Sequence, residues 1–148
     1  MIQELKNSIA QNFDNIDFNL VNWNKVLHNS SDVSIYHLES LVDYYVAYFQ
    51  GENLSFVLYE SNKIVGVFPL FVHRDNGNWV ISGNGQSLVN PLFIDGIAKK
   101  TKKLLENKIV NLVYFIANKL DIKTFELFDP NTELSSWYML WLQRANKS

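Results

Sequence analysis

The 148 residues predict one domain of the α/β (α+β) class, in which a mostly antiparallel sheet is flanked by helices on both faces. Segments whose apolar residues recur at helical spacing stand before and after a block of short strand-forming runs. In the stretch 54–72, LSFVLYESNKIVGVFPLFV, two such runs flank a polar break, which is the pattern of a β-hairpin. The second run is apolar at both alternating sets of positions, so both faces of the sheet require cover.

Composition excludes several classes of protein. Thirteen basic and fifteen acidic residues leave a net charge of -2, which provides no overall field for nucleic acid or anionic lipid. There is no cysteine, so disulfides, thiolate metal sites and cysteine nucleophiles are excluded. The longest apolar run, 64–72, is far shorter than the roughly 18 residues of a membrane-spanning helix, and MIQELKNSIA has no signal-peptide pattern. We therefore expect a cytoplasmic protein with no membrane span and no DNA partner.

Three helices are predicted before the sheet. Ile2, Leu5 and Ile9 recur at helical spacing, and residues 20–28, LVNWNKVLH, form a second short amphipathic segment. The third helix begins after Ser34 and ends at Gly51, which serves as its C-cap. Its apolar stripe consists of Ile35, Leu38, Leu41, Val42, Tyr45 and Phe49.

The strands are predicted to form an antiparallel meander. The hairpin covers 54–73, with Asn62 in the left-handed conformation of the turn. A third strand, 79–82, follows the turn RDNGN, and residues 87–94 are compatible with its continuation. Pro69 has no N–H to donate, so the sheet should be interrupted near this residue. The second arm should divide its apolar residues between the two faces, with Ile64, Phe68, Leu70 and Val72 on one and Val65, Val67 and Phe71 on the other.

One long helix, one strand and one last helix complete the predicted order ααα-βββ-αβ-α. The long helix runs over about 97–120, and one face carries Leu104, Leu105, Ile109, Leu112, Val113 and Ile116. The strand, 123–128, returns from this helix and is therefore expected to run parallel to a neighbour. After the break DPNT, the last helix has an apolar face of Leu134, Trp137, Tyr138, Trp141 and Leu142.

Several segments in this order resemble the amino-terminal half of FemAB-like acyltransferases of bacterial cell-wall or glycan biosynthesis. The similar segments are SIYHLESLVDYYVAYF, the IVGxxPL form of 64–70, the glycine-bearing loop ending in Asn90-Pro91-Leu92, and FELFDP before the last helix. The resemblance covers about residues 20–148. Proteins of this family look like two GNAT-type (Gcn5-related acetyltransferase) folds in tandem.

The resemblance implies that residues 1–148 are one GNAT-like domain, the amino-terminal part of a longer tandem protein. Such proteins transfer an aminoacyl or acyl group from tRNA or coenzyme A to an amine on a peptidoglycan precursor or glycan. The amine attacks the ester or thioester carbonyl directly, and the acceptor lies between the halves. This domain would help to bind the acceptor and would not be active alone, and the aromatic face of its last helix would pack on the second half.

The chain departs from the coenzyme A pattern of the family at the long helix. Members that bind coenzyme A use an Arg/Gln-x-x-Gly-x-Gly/Ala loop there, because its backbone N–H groups hold the pyrophosphate. This helix is entered through FIDGIAKK, and Gly83 and Gly85 stand about a dozen residues too early. We therefore expect no cofactor for this chain alone, and acyl-CoA or aminoacyl-tRNA for a full-length protein.

The candidate substrate-binding residues are polar side chains of one loop and one histidine. In the loop 83–91, GNGQSLVNP, amide and hydroxyl groups would contact a glycan or peptide, although turn chemistry accounts for the same composition. Histidine at position 37 would serve as a base, or it would be a packed or surface side chain. The set is His37, Asn84, Gln86, Ser87 and Asn90.

Other polar clusters predict no chemistry of their own. Four lysines at the start of the long helix, Lys99, Lys100, Lys102 and Lys103, are compatible with a phosphate site and with a solvated face. His28 and His73 have no partner at metal-ligand spacing, so no metal site is predicted. No catalytic residue is identified.

Two further hypotheses remain open. The domain would be a non-catalytic module that self-associates through Trp137, Tyr138 and Trp141, or a small free-standing N-acetyltransferase that binds acetyl-coenzyme A through an atypical loop. The aromatic runs YYVAYF and WYMLW are compatible with a sugar-stacking platform. Their helical spacing is also typical of side chains that pack in a core or an interface.

Overall fold

The computed structural model of the protein describes residues 1–83, 87–126 and 136–147. The described helices are α1 (Ile2–Asn12), α2 (Trp23–His28), a 3₁₀ turn (Ile35–His37), α3 (Glu39–Phe49), α4 (Lys99–Leu120) and α5 (Ser136–Lys147). The described strands are β1 (Ile16–Asp17), β2 (Glu52–Asn53), β3 (Phe56–Glu60), β4 (Lys63–Phe68), β5 (Phe71–Asp75), β6 (Asn78–Ser82) and β7 (Leu92–Phe93).

The strands form two antiparallel sheets with helices on both sides, which confirms the predicted α+β class. One sheet has the order β1-β3-β4-β7 and the other β2-β5-β6. Helices α1, α4 and α5 pack on one side, where Phe56 and Phe68 lie in the main core. On the other side α2 places Trp23 and Val26 against Val67. The helices therefore cover the apolar residues on both sides of β4, as the sequence predicts.

The two sheets are joined by a single long hairpin in continuous register. Asn53 lies opposite Phe71 and Phe56 lies opposite Phe68, with two residues between these pairs on each strand. The ladder is interrupted where Ser55 lies opposite Pro69, which confirms the predicted interruption. The Ser55 hydroxyl bridges this gap, since its Oγ accepts from the Leu70 N–H (2.9 Å) and donates to the Leu70 carbonyl (3.1 Å).

On the two sides of this gap, β4 and β5 pair with different neighbouring strands. Strand β7 pairs with Gly66 and Val67, whereas β6 pairs with β5 from Phe71 onward. The close approach of β7 requires glycine at position 66, because a Cβ there would lie 2.8 Å from Phe93 Cδ1. The chain between β6 and β7 is the loop 83–91, so this loop lies where the sheet divides.

Two details of the hairpin differ from the prediction. Ser61, with φ of 54°, takes the left-handed conformation in the turn, and Asn62 does not. The pairing shifts between Leu58 and Tyr59, which leaves an extra residue in β4. As a result Val65 packs in the main core and Ile64 packs on the α2 side, the reverse of the faces predicted for them.

The predicted third helix is divided into two parts. Ser34 caps the 3₁₀ turn, Leu38 is extended, and α3 then runs from Glu39. The left-handed residue at its end is Gln50, with φ of 51°, and the predicted C-cap, Gly51, follows it. Glycine is required at 51 for another reason, because a Cβ there would lie 2.6 Å from the Val72 carbonyl oxygen.

Two predictions for the carboxy-terminal part are corrected. Leu104 is 62% exposed and does not belong to the buried face of α4. Residues 123–126 form no strand, although the Glu126 carbonyl accepts from the Leu88 N–H (2.8 Å). Residues 127 and 128 of that predicted strand, and Leu134, lie outside the described residues.

The aromatic face of α5 is part of the core of this chain. Trp137 and Trp141 are each 4% exposed. Trp137 packs edge-on against Phe68, and Trp141 contacts the ring of Phe125. The expectation that these tryptophans form a surface for self-association or for a second half is therefore wrong, since burial of large apolar side chains within the chain has already used that face.

Replacement of Ser55 tests the bridged gap in the hairpin. Ser55→Ala leaves the buried Leu70 N–H without the acceptor it has here, which should lower the free energy of unfolding by about 1–3 kcal/mol. Denaturant unfolding measures the change. Ser40→Ala, at an exposed position of α3, is the matched control and should change stability by no more than about 0.5 kcal/mol. Equal effects of the two substitutions would contradict the role of the hydroxyl.

The turn of the hairpin provides a second test. Ser61→Gly should raise the free energy of unfolding by roughly 0.5–1 kcal/mol, because glycine adopts positive φ without the steric cost of a side chain. Asn62→Gly is the control and should lower stability, because it adds only freedom to the unfolded chain. Thermal or denaturant unfolding of both variants measures the two changes in stability. If Asn62→Gly were the more stable variant, the result would favour the original prediction that Asn62 takes the left-handed conformation.

Candidate functional site

The described part of the loop 83–91 is anchored to the core. Leu88 and Val89 are buried, whereas Ser87 and Asn90 are half-buried. The Leu88 N–H donates to the carbonyl of Glu126, and the Gly83 N–H donates to the carbonyl of Ser87 (3.2 Å). Two of the predicted site residues, Asn84 and Gln86, lie outside the described residues.

His37 links the 3₁₀ turn to this loop. Its Nε2 lies 3.1 Å from the carbonyl oxygen of Asn90, and its Nδ1 lies 3.1 Å from the main-chain nitrogen of Ser34. Because a carbonyl only accepts, Nε2 carries the proton and Nδ1 accepts from the Ser34 N–H. The structure therefore brings His37 and Asn90 together, through the main chain of Asn90.

The environment of His37 favours its neutral form. Its side chain is 2% exposed, and this burial lowers the pKa of His37 below the ordinary value of 6.5. The hydrogen bond to Asn90 and the charge of Asp32 act in the opposite direction. With both ring nitrogens engaged, His37 is a packed residue that positions the loop, as one of the two interpretations of its sequence context proposed.

A cleft of about 570 Å³ opens beside the loop, bounded by α3, β5, β6 and residues 124–126, and we call it the β5–β6 cleft. Its volume is in the range of small-molecule sites. The loop reaches it through Ser87, whose Oγ lies 3.5 Å from Oε2 of Glu126. The lining residues are Phe49, His73, Arg74, Asp75, Val80, Ile81, Ser82, Thr124, Phe125 and Glu126.

The walls of the β5–β6 cleft combine stacked rings with charged groups. Phe49 stacks on His73 with ring centroids 4.3 Å apart. The guanidinium of Arg74 lies over the ring of Trp79 (4.4 Å), which restricts its position. Carboxylates of Asp75 and Glu126 complete a lining that suits a polar ligand with an apolar face. These contacts support binding and orientation of a ligand.

Sequence reasoning missed the β5–β6 cleft because its residues come from three separate segments of the chain. Position 49 ends a helix, 73–82 belongs to a hairpin, and 124–126 was assigned to a strand. The only local signal was the charged sequence HRD in an otherwise apolar strand. Topology, and not spacing along the chain, assembles these groups.

The lysines at the start of α4 face an acidic neighbour. Thr101 Oγ1 donates to Oε2 of Glu60 (2.6 Å), so a carboxylate lies at the first turn of the helix. A negative charge there interacts favourably with the helix dipole and offsets the repulsion among the lysines. Lys102 lies near the ring of Phe93 (6.0 Å). These contacts favour the solvated-face interpretation of this cluster.

Neither a metal-ligand cluster nor a membrane-spanning helix is found in the described ranges. Across 1–83, 87–126 and 136–147 no three His, Asp or Glu side chains are grouped so that they could hold a metal ion. None of the helices in the same ranges has the length and apolar character needed to cross a bilayer.

The buried His37 predicts a pH dependence of stability. Because its pKa is lower in the folded than in the unfolded state, its contribution is complete above about pH 6.5. Stability should then fall as the pH decreases from 6.5 through the folded pKa, by at most about 1.4 kcal/mol per pH unit. Denaturant unfolding at several pH values, on the wild type and His37→Gln, measures this.

His28→Gln is the matched control for this experiment, because His28 is exposed on α2. The pH-dependent component should be absent from the His37 variant and retained in the His28 variant. A wild type whose stability does not change between about pH 5 and pH 7 would contradict the burial of a neutral His37.

Comparison of the chain with protein-family models, with curated proteins and with solved structures gave no match. The similarity to FemAB-like acyltransferases therefore remains a resemblance of the segments named above, and a function must be inferred from the geometry of the clefts.

Proposed function

We propose that this chain is the amino-terminal, GNAT-like half of a FemAB-like acyltransferase and that it binds the acceptor in the β5–β6 cleft. The observation that carries this proposal is the position of the cleft beside the loop at which the sheet divides. Loops that leave a rigid scaffold at such a discontinuity are common places for ligand contacts.

The lining of the β5–β6 cleft suits an acceptor with an amine and a sugar or peptide body. Asp75 and Glu126 would pair with an ammonium group, and Arg74 would pair with a carboxylate. Hydroxyl groups of Ser82 and Thr124 would hydrogen-bond to a glycan or peptide. Phe49 offers an aromatic wall for an apolar face.

The entry to α4 supports a donor that binds elsewhere. The Asp95 N–H donates to the Asn29 carbonyl (2.8 Å), and the Asp95 carboxylate accepts from Ser31. A backbone amide and an acid are therefore already engaged at the position where the coenzyme A pattern of the family would place a pyrophosphate. Acyl-CoA or aminoacyl-tRNA would then be bound by a carboxy-terminal half, and the acceptor amine would attack its carbonyl there.

Ligand-dependent stability tests this proposal. An amine-bearing peptidoglycan-precursor fragment, an amino sugar with its stem peptide, should raise the free energy of unfolding, by about 2.7 kcal/mol at 100 times its Kd. Acetyl-coenzyme A should stabilise this chain no more than inorganic phosphate does at the same concentration. Glu126→Gln should weaken binding of the fragment about tenfold, as expected when one charge-assisted contact worth about 1.4 kcal/mol is lost.

Glu4→Gln, an exposed position on α1, removes the same charge away from the cleft and should leave the affinity unchanged. Stabilisation by acetyl-coenzyme A and not by the fragment would favour a self-contained acetyltransferase. Stabilisation by neither compound would reject the acceptor-binding role.

A further inference from the structure

A second cleft, of about 830 Å³, lies between α2, the start of β4 and the segment that leads into α4. We call it the α2–β4 cleft, and it shares no lining residue with the β5–β6 cleft. Its volume would accommodate a small organic molecule. The lining residues are Asn22, Lys25, His28, Asn29, Ser30, Ser31, Tyr59, Asn62, Lys63, Ile64, Ile94 and Asp95.

Apolar side chains form the inner part of the α2–β4 cleft. Ile64, Ile94 and Tyr59 are half-buried and pack against the core beneath α2. The amides of Asn22 and Asn62 lie around them. An apolar floor with a polar rim is the usual composition of a site for a small organic ligand.

The walls of the α2–β4 cleft are fixed by buried hydrogen bonds. The Oγ of Ser30 lies 2.7 Å from the carbonyl oxygens of both Val26 and Phe93, and Ser30 is buried. These contacts tie the end of α2 to the end of β7. A site held in place before binding loses little free energy to ordering when a ligand enters.

The charges around this cleft are predominantly positive. Lys25 and His28 lie one turn apart on α2, and Lys63 begins β4. The ion pairs found among the described residues are Lys108 with Asp14 and Lys123 with Asp121, so neither Lys25 nor Lys63 is paired there. With Asp95, the two lysines leave one net positive charge on the lining.

The nearby acids are already engaged. Asp95, the one acidic residue of the lining, has its Oδ1 3.0 Å from the Ser31 N–H nitrogen and 2.9 Å from the Ser31 Oγ. Glu60, the cross-strand partner of Lys63, accepts from Thr101. Two lysines thus remain as potential partners for an incoming anion on a chain whose net charge is -2.

We propose that the α2–β4 cleft binds a phosphate-bearing small molecule, with its phosphate at Lys25 and Lys63 and its apolar part on Ile64 and Ile94. Lysine ammonium groups bind phosphate as point charges, and the amides of Asn22 and Asn62 add donors. This site is independent of the acceptor site proposed above, because the two clefts share no residue.

Titration with inorganic phosphate and with phenyl phosphate, at constant ionic strength, tests the proposal. Calorimetry or ligand-dependent unfolding should detect both, and phenyl phosphate should bind more tightly because its ring covers the apolar floor. Lys25→Ala with Lys63→Ala should weaken binding of both probes at least about tenfold. Ile64→Ala should reduce the preference for phenyl phosphate and leave binding of inorganic phosphate unchanged.

Lys99→Ala with Lys100→Ala is the matched control, because it removes two exposed lysines from the start of α4. This variant should bind both probes within about twofold of the wild type. Equal losses in the two double variants would mean non-specific attraction of anions and would overturn the proposal. A loss confined to the α4 variant would assign the anion to the helix instead, and no binding of either probe would also overturn it.

Discussion

The hydroxyl of Ser55 keeps one hairpin in register across a position where the sheet cannot continue. Pro69 removes a donor from the middle of an apolar strand, and a buried polar group without a partner is costly. Ser55 supplies an acceptor for the next N–H along, that of Leu70, so the pairing resumes with the same register on the other side. The segments 52–60 and 63–75 therefore remain one unit, although they belong to two sheets.

The sheet divides along the second strand segment of this hairpin, 63–75. One edge of the segment 63–75 pairs with 52–60 on both sides of the gap. The other edge pairs with β7 before the gap and with β6 after it. Ser82, the last residue of β6, lies opposite Phe71, so the chain leaves β6 at this break on its way to β7. The buried residues of the loop 83–91, Leu88 and Val89, fill the space there, and the bond between His37 and the Asn90 carbonyl fixes its end. The β5–β6 cleft therefore lies on the β5 side of this break.

The sequence predicted the elements whose signals are local. The hairpin, the break at Pro69 and the amphipathic pattern of α4 depend on neighbouring residues. They are confirmed, except that Leu104 of the predicted α4 face is exposed. The faces of Ile64 and Val65 were predicted wrongly because a bulge shifts the alternation, and an ideal strand pattern contains no sign of it. Strands β1 and β2 have two residues each, which is too short for a periodic signal.

The burial of Trp137 and Trp141 could not be predicted for a different reason. An apolar helix face looks the same in sequence whether its cover comes from the same chain or from another, so the choice depends on tertiary packing. The residues of the candidate site likewise come together only through tertiary packing, which the sequence pattern does not show. Ser87 and Asn90 were found as loop residues, whereas His73 and Glu126 meet only after β5 and the segment after α4 come together.

The segment 63–75, which contains β4 and β5, contributes residues to both clefts, and the two clefts differ in charge. Its first residues, Lys63 and Ile64, line the α2–β4 cleft, where two lysines and Asp95 leave one net positive charge. Its last residues line the β5–β6 cleft, where Arg74, Asp75 and Glu126 leave one net negative charge. Because the break at Pro69 gives the two parts of the strand different neighbours, one segment contributes to two sites of opposite sign. Electrostatic complementarity then favours ligand groups of opposite charge at the two ends of the same hairpin.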